Sequence, residues 1–335
     1  MKIDIFCHIF PQPFYDRMMT HTERAANMQK RVREIPVLTD VNLRLRIMDQ
    51  FPGYQQVFCL GSPPIEEFGD PKVAPELARI GNDGMADICA KYPDRFPGFI
   101  ASVAMNNMPE CMKEIERSIE KLNARGIQIF TNVNGRPLDE PEFRQLFERM
   151  AAYDLPIWLH PARPSNFPDY ITEKKSKFEL WWVFGWPYET SIAMSRIVFA
   201  GIFDEFPNLK IIAHHMGAMI PYFEGRVGPG LEQLGKRTPE TESDLVKHSL
   251  KRSPLDYFRM FCGDTALFGA VAPLECGLAF FGIDQILFAS DMPFDPEKGP
   301  GFIRETIRAI DAMSIAPADR EKIYEGNAKK LLKLP

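Results

Sequence analysis

The chain contains no run of 18 or more apolar residues, which excludes a membrane-spanning helix from the sequence. Its first ten residues, MKIDIFCHIF, carry one lysine and a short apolar run broken by Asp4 and His8, so they do not read as a signal peptide. There is no excess of basic charge: 40 Lys and Arg stand against 45 Asp and Glu, a net charge of −5, so no broad positive field exists to attract nucleic acid. Cysteine is scarce and unpaired in sequence. Cys7, Cys59, Cys89, Cys111, Cys262 and Cys276 form no CxxC pair and lie in mostly apolar flanks, as buried thiols of a reducing cytoplasm would. No internal repeat, low-complexity tract or linker divides the 335 residues, which read as one domain, 1–335.

What is present is a rhythm of short β-type runs alternating with helical spacing. The runs fall at 2–6, 56–60, 98–103, 127–130, 156–159, 210–213, 259–262 and 285–289. Between them, Met112, Ile115, Ile119 and Leu122 recur at three- and four-residue steps, with Gly126 as a C-terminal stop. Phe143, Leu146, Phe147 and Met150 do the same, and so does the segment holding Ile192, Val198, Ile202 and Phe203. Eight strands with helices between them predict a (β/α)₈ TIM barrel. The competing doubly wound sheet needs a glycine-rich phosphate loop after the first strand, and none is there. Two insertions, near 11–42 and 161–191, are long for connections and are placed over the C-terminal face; the second carries Trp181, Trp182, Phe184 and Trp186.

Barrel chemistry gathers where strands end. Four of the six histidines fall there: His8 after the first run, His160 after the fifth, and His214 and His215 after the sixth, with Asp291 after the eighth. Strict alternation puts Asp4, Phe6 and His8 on one face of the first strand and Ile3, Ile5 and Cys7 on the other. His21 and His248 sit in polar contexts and read as surface residues. Imidazoles converging with a carboxylate suit either a divalent metal with open positions or acid–base work.

The chain resembles the amidohydrolase superfamily, in particular the amidohydrolase-2 group typified by aminocarboxymuconate-semialdehyde decarboxylase. The resemblance is carried by MKIDIFCHIFP at the start, LRLRIMDQ at 43–50, GIQIFTNVNG at 126–135 and PIWLHP at 156–161. It continues through WPYETSIAM at 186–194, FPNLKIIAHHMG at 206–217, FASDMPF at 288–294 and the closing Ile323-Tyr324-Glu325-Gly326-Asn327-Ala328. It implies a mononuclear zinc or manganese site on His8, His160 and Asp291, with no organic cofactor. It also implies proton transfer by His215, preferred to His214 because it precedes Met216-Gly217, and by Asp291. Arg226, Arg44, Arg46 and Trp186 match positions near substrate, and Arg226 lies in a region used for subunit contact, so a homodimer is expected. The departure is Phe6, where relatives carry His or Glu; phenylalanine cannot ligate a metal.

The function implied is that of a carbon–carbon lyase, a non-oxidative decarboxylase of an unsaturated or aromatic carboxylic acid. One alternative is a metal-dependent hydrolase or hydratase acting on a lactone, amide or enol-acid. A second, motivated by Phe6, is a non-catalytic barrel that binds a small molecule.

Overall fold

The computed structural model describes residues 1–21, 30, 32–237 and 250–334. Eight parallel strands form its centre: β1 (Lys2–Ile9), β2 (Tyr54–Leu60), β3 (Gly98–Phe99 continuing as Ala101–Ser102), β4 (Ile127–Phe130), β5 (Ile157–His160), β6 (Ile211–Ala213), β7 (Cys262–Asp264) and β8 (Ile286–Leu287). Two sheets make up the ring, β1-β2-β3 and β3-β4-β5-β6-β7-β8. Within β3, Ile100 N–H reaches Phe58 O at 2.9 Å and Ala101 N–H reaches Gly126 O at 3.0 Å, so that strand serves both sheets. The other seam is closed by Ile5 N–H to Phe288 O (3.0 Å), Asp291 N–H to Phe6 O (3.1 Å) and His8 N–H to Met292 O (2.8 Å). These bonds complete the TIM barrel.

The strands are near-continuous apolar runs because both faces are buried, one by the lumen and one by helices. The lumen is filled by Ile3, Ile5, Phe6, Val57, Ile100, Trp158, Ile212 and Leu287. A second, larger cluster joins the outer faces to helices, including Cys7, Ile9, Phe58, Ile115, Phe147 and Ile197. The helix Met108–Glu120 shows how the sequence sets an element: the Asn107 side chain accepts from Glu110 N–H at its start, and Cys111, Ile115 and Ser118 line its buried face. That helix stops well before Gly126. Gly126 is required for another reason: its φ is 150° and a Cβ there would lie 2.3 Å from Pro156 O.

Two expectations need correction. The first strand does not alternate throughout, because a bulge between Asp4 and Cys7 shifts its register on β2. Ile3, Ile5, Phe6 and His8 therefore face the lumen, while Asp4 turns outward to accept from Tyr54 Oη at 2.5 Å, beside Cys7. The seventh strand lies at Cys262–Asp264, not 259–262. The preceding apolar residues Tyr257 and Phe258 belong to the helix Pro254–Phe258, and the strand begins after it. All six cysteines are free; Cys7, Cys59 and Cys111 are buried as expected, whereas Cys89, Cys262 and Cys276 are only partly buried. His21 bonds Arg17 at the surface (3.0 Å); His248 lies outside the described residues.

Glu66, in the short helix Ile65–Phe68 after β2, is a buried carboxyl whose Oε1 accepts from Met105 N–H at 2.7 Å. Burial pushes its pKa up to about 7. The native state therefore keeps this proton after the unfolded chain, with a carboxyl near its ordinary value, has released it. The contribution is neutral below about pH 4.5, and stability falls as pH rises to about 7, by about 3 kcal/mol in all. Urea unfolding of Glu66→Gln should lack that decline and make the variant more stable than wild type at pH 8. Parallel pH profiles for the two proteins would remove Glu66 from the account.

Candidate active site and its metal ligands

At the C-terminal mouth, side chains from β1, β5, β6, β7 and β8 meet. His8 is held through both ring nitrogens: Nδ1 lies 3.2 Å from Leu60 O and Nε2 lies 3.0 Å from Asp291 Oδ1. His160, at the end of β5, has Nδ1 2.7 Å from Pro161 O, which makes Nδ1 the donor and leaves Nε2 for the cavity. Its ring stands 5.6 Å from that of His8 and 5.2 Å from that of His214.

Consecutive histidines on a strand should face opposite ways, yet His214 and His215 both reach Asp291. The strand ends at Ala213, and the chain then makes a left-handed turn with φ of 55° at His215, 56° at Met216, 70° at Gly217 and 57° at Ala218. Such conformations cost about 1–2 kcal/mol for each non-glycine residue. Asp264, at the end of β7, holds the turn: Oδ2 accepts from His214 Nδ1 at 2.6 Å, and Oδ1 accepts from His215 N–H at 3.0 Å. Met216 is thereby driven into a slot that has no room for side chains at Gly263 and Gly277. In this arrangement His214 Nε2 lies 3.8 Å from Asp291 Oδ1, and His215 Nε2 lies 3.8 Å from Asp291 Oδ2. Among the described residues, the ligand atoms of His214, His215 and Asp291 all fall within 4.8 Å of one another.

The electrostatics follow from burial and these partners. Burial holds His160 well below the ordinary histidine value, and the neighbouring His214 and His8 push the same way. Burial also lowers His215, assisted by His214. For His214 the burial penalty is overcome by Asp264 and Asp291, which lift it to about 9. Asp291 is subject to the same burial penalty, but the imidazoles of His214, His215 and His8 around its carboxylate hold it well below the usual carboxylate range.

Above this cluster is a cavity of about 470 Å³ lined by His160, Asp291, Ser62, Glu179 and the aromatic rings of Trp181, Trp182, Trp186, Phe268, Phe294 and Phe302. The 161–191 insertion supplies the three tryptophans and thus roofs the mouth. Trp186 stands edge-on to His160, with ring centroids 5.6 Å apart. Phe184 is exposed instead.

The structure brings together His8, His160, His215, Asp291 and Trp186. It places the three arginines elsewhere. Arg44 is fully buried behind β1, donating to Gln56 Oε1 at 2.8 Å and to His8 O, so it fixes the backbone that carries His8. Arg46 and Arg226 are exposed, and Arg226 lies beside the Phe223 ring at 5.8 Å. Asp264 is a site residue that sequence reasoning did not single out. Its signal was an acid ending an apolar run, Phe261-Cys262-Gly263-Asp264, at the end of β7.

The histidine chemistry fits a divalent cation. His8, His160 and His214 each turn Nδ1 to a carbonyl or carboxylate, the arrangement that orients an imidazole for ligation through Nε2. His214 Nε2 is buried without a hydrogen-bond partner among the described residues.

Comparison with known proteins finds decarboxylases similar to this chain. Gamma-resorcylate decarboxylase of Polaromonas sp. strain JS666 is 31% identical over 303 residues, covering 87% of this chain and 86% of that protein. Among solved structures, 5-carboxyvanillate decarboxylase from Sphingomonas paucimobilis superposes with a TM-score of 0.82 at 27% identity, covering 100% of this chain and 99% of that one. Dihydroxybenzoic acid decarboxylase from Polaromonas sp. JS666, solved with bound manganese and the inhibitor 2-nitroresorcinol, gives a TM-score of 0.78 at 27% identity over 99% and 96% of the two chains. The amidohydrolase family model matches residues 4–334, from the first barrel strand to the last helix, and the chain therefore belongs to the amidohydrolase family.

Proposed function

We propose that this protein is a metal-dependent, non-oxidative decarboxylase of a small aromatic carboxylic acid. The observation that carries the reading is the convergence of buried histidine nitrogens on Asp291 at the floor of an aromatic-walled cavity. Charge supports a cation there. Among the described residues the lining contains two carboxylates, Glu179 and Asp291, and no lysine or arginine, so a bound cation would offset negative charge that a substrate carboxylate otherwise meets. His8, His160 and Asp291 are the proposed ligands, and either zinc or manganese suits imidazole and carboxylate donors. When bound, the cation supplies positive charge that orients the substrate's carboxylate and favours ionisation of a neighbouring hydroxyl.

The protein's own groups do the rest. Trp186, Phe268, Phe294 and Phe302 hold the ring flat and keep water from it. His215 and Asp291, 3.8 Å apart, hold a proton between them and deliver it to the ring carbon that bears the carboxylate. The bond from that carbon to the carboxylate then breaks, its electron pair restores aromaticity, and CO₂ leaves. A neutral product suits apolar walls better than the carboxylate did.

The test is incubation with 2,6-dihydroxybenzoate and 5-carboxyvanillate in D₂O, with manganese or zinc added. Release of CO₂ with one deuterium on the vacated carbon is expected. Incorporation of solvent oxygen without CO₂ would replace this reading with a hydrolase. Tight binding without turnover would replace it with a binding barrel. Elemental analysis of the purified protein reads which of the two metals it carries.

We propose further that the enzyme is a cytoplasmic homodimer, with Arg226 acting across the contact. Tyr222, 79% exposed and packed on Phe223, offers an apolar surface next to that arginine. Light scattering should return twice the 38.3 kDa chain mass, and a value near 38 kDa overturns the proposal.

A further inference from the structure

The first strand brings two side chains to the upper lumen, Phe6 and His8, and only the second can donate a lone pair. The Phe6 ring lies flat against that of His214, with centroids 4.0 Å apart and planes at 11°. His214 is fully buried, its Nδ1 is committed to Asp264 at 2.6 Å, and its Nε2 has no partner among the described residues. A buried ring nitrogen with nothing to bond is costly unless something binds it, and this one points toward Asp291 Oδ1 at 3.8 Å. Two donors bound about 2.0–2.2 Å from one metal ion stand about 3–3.5 Å apart when adjacent in its coordination shell. The spacing of 3.8 Å is therefore a few tenths of an ångström from what a shared cation would draw in.

We infer that His214, through Nε2, is a ligand of the cation on Asp291, supplying from β6 the donor that Phe6 cannot supply from β1. This rests on the metal reading of the proposed function and adds to it. Asp264 is the positioning residue: its carboxylate holds the proton on Nδ1, so that a cation displaces the proton on Nε2 and takes the lone pair there. Phe6 takes the part of a flat wall against which the imidazole is clamped. His215, the other member of the pair, stays free for proton transfer.

The experiment measures Zn²⁺ affinity by competition with a chromophoric chelator, and the visible spectrum of the Co²⁺-loaded protein, without substrate. Wild type is compared with His214→Ala and with the double variant Phe6→His/His214→Ala. His214→Ala should lose at least about 100-fold in Zn²⁺ affinity, and its Co²⁺ spectrum should change with the loss of a nitrogen donor. In the double variant an imidazole on β1 occupies the space left by the two rings, and most of the lost affinity should return. A residue that only packs the lumen would not be replaced in this way. If His214→Ala binds Zn²⁺ as wild type does, with an unchanged Co²⁺ spectrum, the inference is overturned while the metal reading stands. If wild type itself binds neither ion, the metal reading fails and the inference goes with it. If His214→Ala does not fold, the double variant decides: folded protein with wild-type affinity supports the inference, and folded protein without Zn²⁺ affinity overturns it.

Discussion

Asp291→Asn should lower turnover by at least about 10³-fold while leaving the barrel folded. The side chain is approached by His8 Nε2 at 3.0 Å and by His214 and His215 Nε2 at 3.8 Å, so three imidazoles depend on one carboxylate. An amide of nearly the same shape still offers His8 an oxygen, and the backbone bond from residue 291 N–H to Phe6 O is untouched, so the seam between β1 and β8 survives. What disappears is negative charge and proton capacity. On the proposed reading the charge is a ligand's contribution to the cation, and general acid–base groups typically contribute about 10²–10⁴-fold alone. Loss of both roles together sets the expected size. The measurement is CO₂ release per enzyme, with metal content and circular dichroism recorded on the same sample. Activity within a few-fold of wild type in a folded, metal-loaded variant would exclude Asp291 from the chemistry.

The parts of this site that the sequence made legible are those governed by local rules. His8, His160 and Asp291 each follow an apolar run, and parallel barrel strands deliver such residues to one face whatever the loops do. Trp186 was legible because a long insertion rich in tryptophan after β5 has little place to go except over the mouth. What could not be read depends on non-local bonds. Alternation along β1 fails because the bulge between Asp4 and Cys7 is fixed by contacts with Tyr54 and with residues 288–292, more than 280 positions away and just beyond β8. Arg44 looked like a substrate ligand on motif position alone, yet the fold spends its guanidinium on the carbonyl of His8 and on Gln56. Motif position prefers His215 to His214, and alternation along a strand would send the two to opposite faces. A left-handed turn held by a residue 50 positions away admits both.

Asp264→Ala and Asp264→Asn should fail in different ways, and the difference separates stability from ligand chemistry. Alanine strips acceptors from His214 Nδ1–H, His215 N–H and Ala266 N–H, which the carboxylate now satisfies at 2.6, 3.0 and 3.1 Å. Each abandoned buried donor costs about 1–3 kcal/mol, and the left-handed residues of the turn lose the group that offsets their strain. A loss of about 3–5 kcal/mol is expected, read as a lower urea midpoint, with relaxation of the turn limiting the total. Asparagine is the finer probe. Its oxygen can keep the two backbone donors, which leaves its NH₂ group facing His214 Nδ1. That nitrogen must then become the acceptor, so the ring proton moves to Nε2 and occupies the lone pair aimed at Asp291. Asp264→Asn should therefore unfold within about 2 kcal/mol of wild type yet bind Zn²⁺ far more weakly, although every histidine is still in place. Zn²⁺ affinity equal to wild type in a stable Asp264→Asn protein would show that the tautomer of His214 does not matter, and that Asp264 serves the turn alone.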